Sequence, residues 1–124
     1  MTANVENIRK WVEALRSGKY EQNTGSLRNA DTGGFCCLGV ACDISGIGEW
    51  ETTPDDERVA YLVSPDARLE RGYLPQPVVD WLGVEGRCPA VDGAALTTLN
   101  DNETPFAVIA NLIEAEWLTA EALA

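Results

Sequence analysis

Three of the four cysteines lie in one short apolar run, and thiols so closely spaced could act as a nucleophile or as metal ligands. The run is FCCLGVACDIS, residues 35–45, which contains Cys36, Cys37 and Cys42, whereas Cys88 is distant in sequence. A cysteine nucleophile must be a thiolate, which a neighbouring histidine or cation usually stabilises. Because the chain has no histidine, we interpret the cysteines as reduced thiols packed in a core.

A metal site at these cysteines would need about four well-spaced ligands, which in zinc proteins usually come as Cys-x-x-Cys pairs. Cys36 and Cys37 are instead adjacent, and Cys42 follows five positions later. The acidic loop at 55–57 is no better as a cation site, since such loops are usually just solvated. The sequence therefore predicts neither a metal nor a cofactor.

The tripeptide Asp31-Thr32-Gly33 copies the signature of aspartic proteases. That chemistry needs the aspartate on a rigid loop after an apolar strand, facing a second such carboxylate. The preceding residues 28–30, Arg-Asn-Ala, do not read as a buried apolar strand, and no second copy of the tripeptide exists in the chain. We therefore predict a turn at 31–33, identify no catalytic residue, and predict that the protein is not an enzyme.

The charge balance restricts the class of partner. Twenty acidic residues against nine basic ones give a net charge of −11, which repels nucleic acid and anionic membranes. The C-terminal segment 96–123 has a helix–turn–helix rhythm, but no lysine or arginine follows Arg87 to contact phosphates. We predict ordinary helix packing there and no direct binding of nucleic acid. No run approaches the roughly 20 apolar residues of a membrane span, and MTANVENIRK does not resemble a secretory signal, so we expect a cytoplasmic protein.

Apolar periodicity and punctuating residues predict the elements that position these groups. Helices are expected in five segments: 4–17 after the cap Asn4, 35–45 ending at Gly46, the later part of 73–83, 94–100, and a last helix that Thr104 caps and whose first turn holds Pro105. A strand is expected at 26–28, with brief pairing at Phe35. EWETT and RVAYLVS are expected to form a β-hairpin around the five-residue loop TPDDE, and 84–92 to form a loop. Gly39 indicates close packing of helix 35–45 against another backbone.

These elements predict one small α+β domain over residues 1–124. It should be predominantly helical, with four to five helices and a small antiparallel β-hairpin. The side chains expected to be buried are apolar and come from every predicted helix: Trp11, Leu15, Phe35, Leu38, Val40, Trp81, Leu82, Leu99, Phe106, Ile109 and Ile113.

The order of several short motifs resembles a group of small, largely uncharacterised proteins of tailed phages and prophages. The motifs span almost the whole chain: Trp11, Leu15, Ser17-Gly18 and Tyr20; Gln22, Gly25 and Leu27-Arg28; FCCLGV (35–40) with Cys42-Asp43; Tyr73-Leu74-Pro75; Trp81-Leu82-Gly83; Leu99-Asn100-Asp101; and Phe106, Ile109-Ala110 and Ile113-Glu114. The chain departs from the group at Ala41 and at 102–105, both compatible with the fold. The resemblance implies a phage protein acting in the cytoplasm of a bacterial host, and it implies no activity.

Four polar residues of these motifs are open to a structural or a functional interpretation. Arg28 and Asp43 flank the FCCLGV run with opposite charges, and we interpret them first as a structural ion pair, with contact to a small ligand as the alternative. Asn100 and Asp101 end a predicted helix, where capping or turning the chain is the first interpretation and ligand binding the second.

The leading functional hypothesis is an accessory protein that binds a host or phage protein. Its contact surface would be acidic and would fit a partner with a basic surface. The expected contact residues are Glu49, Glu51, Asp55, Asp56 and Glu57. One alternative is an acidic DNA mimic that inhibits a host defence nuclease. Another is a small-ligand binding protein, which would require several arginines to converge if the ligand is an anion. Homodimer formation is left open.

Overall fold

Five α-helices and five short strands form the part of the chain that the computed structural model describes, residues 3–118. The helices are α1 (Val5–Arg16), α2 (Cys37–Ser45), α3 (Gln76–Leu82), α4 (Leu96–Asp101) and α5 (Phe106–Ile113), followed by a π-helical turn (Glu114–Leu118). The strands are β1 (Arg28–Asn29), β2 (Glu49–Thr53), β3 (Asp56–Leu62), β4 (Ala90–Val91) and β5 (Ala94–Ala95). The end of the predicted C-terminal segment, 119–124, lies outside the described residues.

Helix α1 begins as predicted at the cap Asn4, whose Oδ1 accepts a hydrogen bond from the backbone N–H of Asn7 at 3.1 Å. One face of the helix is buried, through Ile8, Trp11, Val12 and Leu15. This face packs against α5, α2 and the π-helical turn, where Trp117 stacks on Trp11 with ring centroids 6.3 Å apart.

Helix α2 is the buried centre of the fold, as the FCCLGV run predicts. Residues 37–42 are all buried, and the helix ends at Gly46 in a left-handed conformation with φ of 65°. A Cβ atom at Gly39 would lie 1.9 Å from the carbonyl oxygen of Leu27. The expected close backbone packing is therefore confirmed, and it is what brings the β1 segment against the helix.

The predicted hairpin is present, and β1 extends it to a three-stranded antiparallel sheet in the order β1–β3–β2. The predicted loop length of five residues was wrong, because Thr53 and Asp56 pair directly and only Pro54 and Asp55 connect the strands. Asp55 adopts φ of 64°, which aspartate tolerates better than most residues. The register shifts between Glu51 and Thr53, forming a bulge in β2.

Two predictions near the C-terminus are corrected. The expected loop 84–92 contains β4, which pairs with β5 around the positive-φ residues Asp92 and Gly93, so α4 begins at Leu96 and not at 94. Thr104 does not cap α5: Pro105 holds the N-cap position without a side-chain hydrogen bond. The backbone of Thr104 instead closes the turn between α4 and α5 through its N–H to Leu99 O, 3.0 Å away.

The α+β class is confirmed. The description as predominantly helical is an overstatement, because 41% of the described residues are helical and 18% are in strands. The predicted core residues are buried except for Trp81 and Leu99, which pack half-buried at its margin. Among residues 3–118 no helix has the length and apolar character needed to cross a membrane.

We predict that Gly39→Ala destabilises the protein by at least about 2 kcal/mol, because the new methyl group would overlap the backbone at Leu27 and force α2 and β1 apart. Gly72→Ala is the matched control, since nothing lies within 4 Å of its added Cβ, and it should change stability by less than about 0.5 kcal/mol. Urea unfolding measures both variants. Equal midpoints for the two would contradict the close packing.

Candidate functional site

Asn100 lies at the centre of the polar network, with a side chain that is fully buried. Its Oδ1 accepts hydrogen bonds from the backbone N–H of Cys37 and from Gln22 Nε2, both at 3.1 Å. Its Nδ2 donates to the carbonyl oxygen of Asn23 at 2.7 Å. One amide thereby joins the first turn of α2 to the segment 20–36. The side chain of Asn100 makes these long-range contacts instead of capping the helix that carries it, as the sequence had suggested.

Two neighbours complete what we call the Asn100 clamp, defined as Asn100 with Gln22 and Asp101. Gln22 Nε2 also donates to the carbonyl oxygen of Thr104 at 2.7 Å. Asp101 Oδ1 accepts from the backbone N–H of Gly25 at 3.0 Å. The clamp therefore fixes the segment 20–36, which is irregular apart from β1, against α4.

The three cysteines of α2 are packing and capping groups. Cys36 is the N-cap residue, and its Sγ accepts from the backbone N–H of Gly39 at 3.4 Å. Burial raises the pKa of Cys36 from 9.0 to about 11, and it raises the pKa of Cys37 and Cys42 well above the ordinary value. All three therefore remain protonated thiols near neutral pH, which is unfavourable for nucleophilic attack.

Asp31-Thr32-Gly33 forms the predicted turn. Asn29 Oδ1 accepts from the backbone N–H groups of Asp31 and Thr32 at 2.9 and 3.0 Å, and Gly33 adopts φ of 75°. The aspartate side chain is exposed, without the buried setting that protease chemistry requires.

The predicted ion pair between Arg28 and Asp43 is wrong. Both carboxylate oxygens of Asp43 accept from aromatic donors: Oδ2 from Tyr20 Oη at 2.6 Å and Oδ1 from Trp50 Nε1 at 2.9 Å. Burial, followed by the hydrogen bond to Asp43, raises the pKa of Tyr20 well above its ordinary value. Asp43 therefore links the helix to two aromatic rings and is not the counter-ion of Arg28.

Arg28 instead stacks on aromatic rings. Its Cζ lies 4.9 Å from the ring centroid of Phe35 and 5.6 Å from that of Trp50, within the range of cation–π attraction. The rings form an edge-to-face chain, because Phe35 contacts Tyr20 at 5.0 Å and Trp50 at 5.7 Å between centroids. Sequence reasoning singled out Arg28 and Asp43 but missed these aromatic contacts, because residues 20, 35 and 50 belong to different segments.

A cleft of about 280 Å³ lies beside this guanidinium. We call it the Arg28 cleft. It is bounded on one side by β1 and the turn after it and on the other by β2 and β3. The lining consists of Arg28, Asn29, Ala30, Gly33, Trp50, Thr52 and Val59. This lining contains no carboxylate, although the chain carries twenty of them.

The structure separates the five predicted partner-binding carboxylates into two sets. Asp56 is neutralised: Arg58 Nε and Nη2 each lie 3.1 Å from its oxygens, and Arg71 Nε lies 3.3 Å from Oδ2. The hydrogen bonds from Arg58 lower the pKa of Asp56 below its ordinary value. The other four are exposed and make no ion pair within the described chain: Glu49, Glu51, Asp55 and Glu57. We call these four the acidic hairpin.

The remaining described side chains offer no alternative centre for metal chemistry, because residues 3–118 contain no group of three or more cysteine, aspartate or glutamate residues placed to hold an ion. Cys88 is half-buried, with its Sγ 3.2 Å from Thr97 Oγ1. Glu70, which is nearly buried, is paired with Arg87.

Comparison with known proteins identifies the family of the chain. A family model described as a domain of unknown function, DUF8296, matches residues 1–117, and the chain belongs to that family. No curated protein and no solved structure matches the chain.

We predict that Asn100→Leu lowers the free energy of unfolding by about 2–5 kcal/mol, because a side chain of similar size would leave the Cys37 N–H and the Asn23 carbonyl buried without partners. Asn102→Leu, at an exposed position of the adjoining turn, is the control and should shift stability by no more than about 0.5 kcal/mol. Chemical denaturation measures both. Similar losses in the two variants would show that the clamp has no special role.

We predict that iodoacetamide at pH 8 labels Cys88 first, and that Cys36, Cys37 and Cys42 react only at the rate of global unfolding. The physical reason is that these three thiols are buried and protonated, whereas Cys88 is half-buried. Mass spectrometry of peptides over time gives the order. Rapid labelling of any α2 cysteine in the folded protein would contradict the assignment.

Proposed function

We propose that this family member is an accessory protein that binds another protein through the acidic hairpin. One observation carries the proposal: Glu49, Glu51, Asp55 and Glu57 are exposed and make no ion pair in residues 3–118. They lie on a hairpin whose strand β2 is at the edge of the sheet. An edge strand offers unpaired backbone groups as well as side chains to a partner.

Charge determines the kind of surface that fits. Glu49 and Glu51 are two positions apart on β2 and so project to the same side of the strand. With a net charge of −11 on the whole chain, encounter with a basic patch is accelerated and becomes slower as salt rises. Asp56 is left out of this surface, because Arg58 and Arg71 already neutralise it.

The outer edge of β2 suggests how the partner docks. The regular part of this edge is residues 49–51, since the bulge before Thr53 interrupts the register. We propose that an extended basic segment of the partner lies along these residues. The same charges also oppose pairing between two copies of the chain, which is a common role for acidic edge strands.

The setting that we propose follows from the resemblance to phage and prophage proteins. The protein would act in the cytoplasm of a bacterial host, on a host or phage protein. We propose a non-enzymatic role, supported by the burial and the raised pKa values of the three α2 thiols.

The test is quantitative affinity capture from a bacterial lysate at low and moderate salt, comparing the parent with Glu49→Lys/Glu51→Lys. The matched control is Glu13→Lys/Glu85→Lys, which makes the same charge change at exposed positions away from the hairpin. We expect one protein to be retained by the parent and the control, and its recovery to fall about tenfold or more with the hairpin variant, in line with the loss of a hydrogen-bonded charge pair.

Two outcomes would contradict the proposal. Equal recovery by the hairpin variant would place the contact elsewhere on the surface. Retention of nucleic-acid enzymes only at low salt, reduced equally by both variants, would show that total charge matters more than its position, as expected for a DNA mimic.

A further inference from the structure

We propose that the Arg28 cleft binds the oxyanion group, phosphate or carboxylate, of a small molecule. The cleft shares strands β2 and β3 with the acidic hairpin, but none of the four hairpin carboxylates lines it, and this site does not depend on the protein-binding function. Its lining, its unpaired cation and the rigidity of that cation each support the assignment.

Arg28 differs from the other half-buried arginines. Arg71 lies 3.3 Å from Asp56 Oδ2, and Arg87 pairs with Glu70. Arg28 is also half-buried, yet it forms no salt bridge with any residue in the range 3–118. In a chain with twenty acidic residues and nine basic ones, an arginine without a carboxylate partner has a charge that is available to a ligand.

Asp43, the carboxylate that the sequence suggested as the partner of Arg28, already accepts hydrogen bonds through both oxygens. Asp43 accepts from Tyr20 through one oxygen and from Trp50 through the other. The indole of Trp50 therefore takes one oxygen of Asp43 while its ring packs near Arg28. This arrangement leaves the guanidinium without a carboxylate partner among residues 3–118.

The guanidinium is also preorganised. The rings of Phe35 and Trp50 restrain it at centroid distances of 4.9 and 5.6 Å, and the backbone of Arg28 pairs with Val59 in β3. Its side-chain N–H groups donate to no protein atom in the described chain. A fixed guanidinium with free donors matches the two oxygens of a carboxylate or phosphate, and little entropy is lost when it binds them.

The other polar groups of the cleft suit the same ligand. Asn29 Oδ1 accepts hydrogen bonds within the turn, so its side-chain N–H₂ group is left to donate to a ligand. Thr52 is exposed on β2. Both can donate to an oxyanion. A second cleft of about 280 Å³ contains Arg58 and Asp101, but Arg58 is already paired with Asp56 there, so that cleft lacks the unpaired cation.

The volume of the cleft and the screening of charge by salt limit which ligands can bind. A volume of about 280 Å³ is at the lower end of small-molecule sites, which suits one anionic group on a compact molecule. The net charge of −11 repels anions at a distance, but the screening length is about 8 Å at physiological salt. The local charge of Arg28 therefore governs binding once the ligand enters the cleft.

The test is an NMR titration of the intact, isotope-labelled protein at constant ionic strength. The probes are inorganic phosphate, adenosine monophosphate, glutarate and a glutamate-rich peptide, with uncharged adenosine as the negative probe. We expect saturable shifts of the Arg28 Nε–H and Trp50 Nε1–H signals with at least one oxyanion and none with adenosine. Comparison of the phosphate-bearing probes with glutarate identifies which oxyanion the cleft prefers.

Variants show whether the cation is responsible. Arg28→Met removes the charge but keeps much of the apolar stem, and it should weaken binding about tenfold or more. Arg28→Lys keeps the charge without the planar fork and should bind with intermediate strength. Arg68→Met, at an exposed arginine that makes no salt bridge in the described chain, should bind like the parent.

Three results would overturn the proposal. The first is the absence of saturable shifts in the parent with every small oxyanion. The second is unchanged affinity in a folded Arg28→Met variant. The third is a shift of the same signals by a glutamate-rich peptide only, which would assign the cleft to a protein partner. Loss of partner capture by the hairpin variant with normal anion binding would show that the two sites are independent.

Discussion

The fold depends on one buried amide. Asn100 holds the first backbone N–H of α2, the carbonyl of Asn23 and the side chain of Gln22 at the same point. The segment 20–36 has little regular structure of its own. Backbone hydrogen bonds within it, such as that from Phe35 N–H to Glu21 O, satisfy some of its groups, and the others need partners from elsewhere. The clamp provides two of them, for the carbonyl of Asn23 and the N–H of Gly25, and it helps to explain how a glycine-rich polar segment can be ordered beside a mostly apolar helix.

The same constraint positions the candidate sites. Once segment 20–36 is fixed, Leu27 can lie against Gly39 at a distance that leaves no room for a Cβ. Arg28 then enters the sheet beside Val59 and reaches the rings of Phe35 and Trp50. The acidic edge of β2 lies on the far side of β3 from this point. One sheet therefore carries both the Arg28 cleft, which β2 and β3 line in part, and the acidic hairpin on the same two strands.

Local signals in the sequence predicted much of the fold, and long-range contacts explain the rest. The Asn4 cap, the buried FCCLGV helix and its stop at Gly46 depend on neighbouring residues. The short pair β4–β5 was missed although Asp92-Gly93 is a typical hairpin turn. Opposite charges suggested a pair between Arg28 and Asp43, but hydrogen bonds from Tyr20 and Trp50 prevailed, and no local pattern indicates contacts between such distant residues.

Native-state hydrogen exchange shows whether the clamp holds segment 20–36 and α2 as one cooperative unit. The informative amides are those of Phe35, which donates to Glu21 O at 2.8 Å, and of Cys37, which donates to Asn100. We predict that both amides exchange only through global unfolding, with the same free energy of opening as the core amides of α1. Exchange of these two amides through a much smaller local opening, while α1 remains protected, would contradict it.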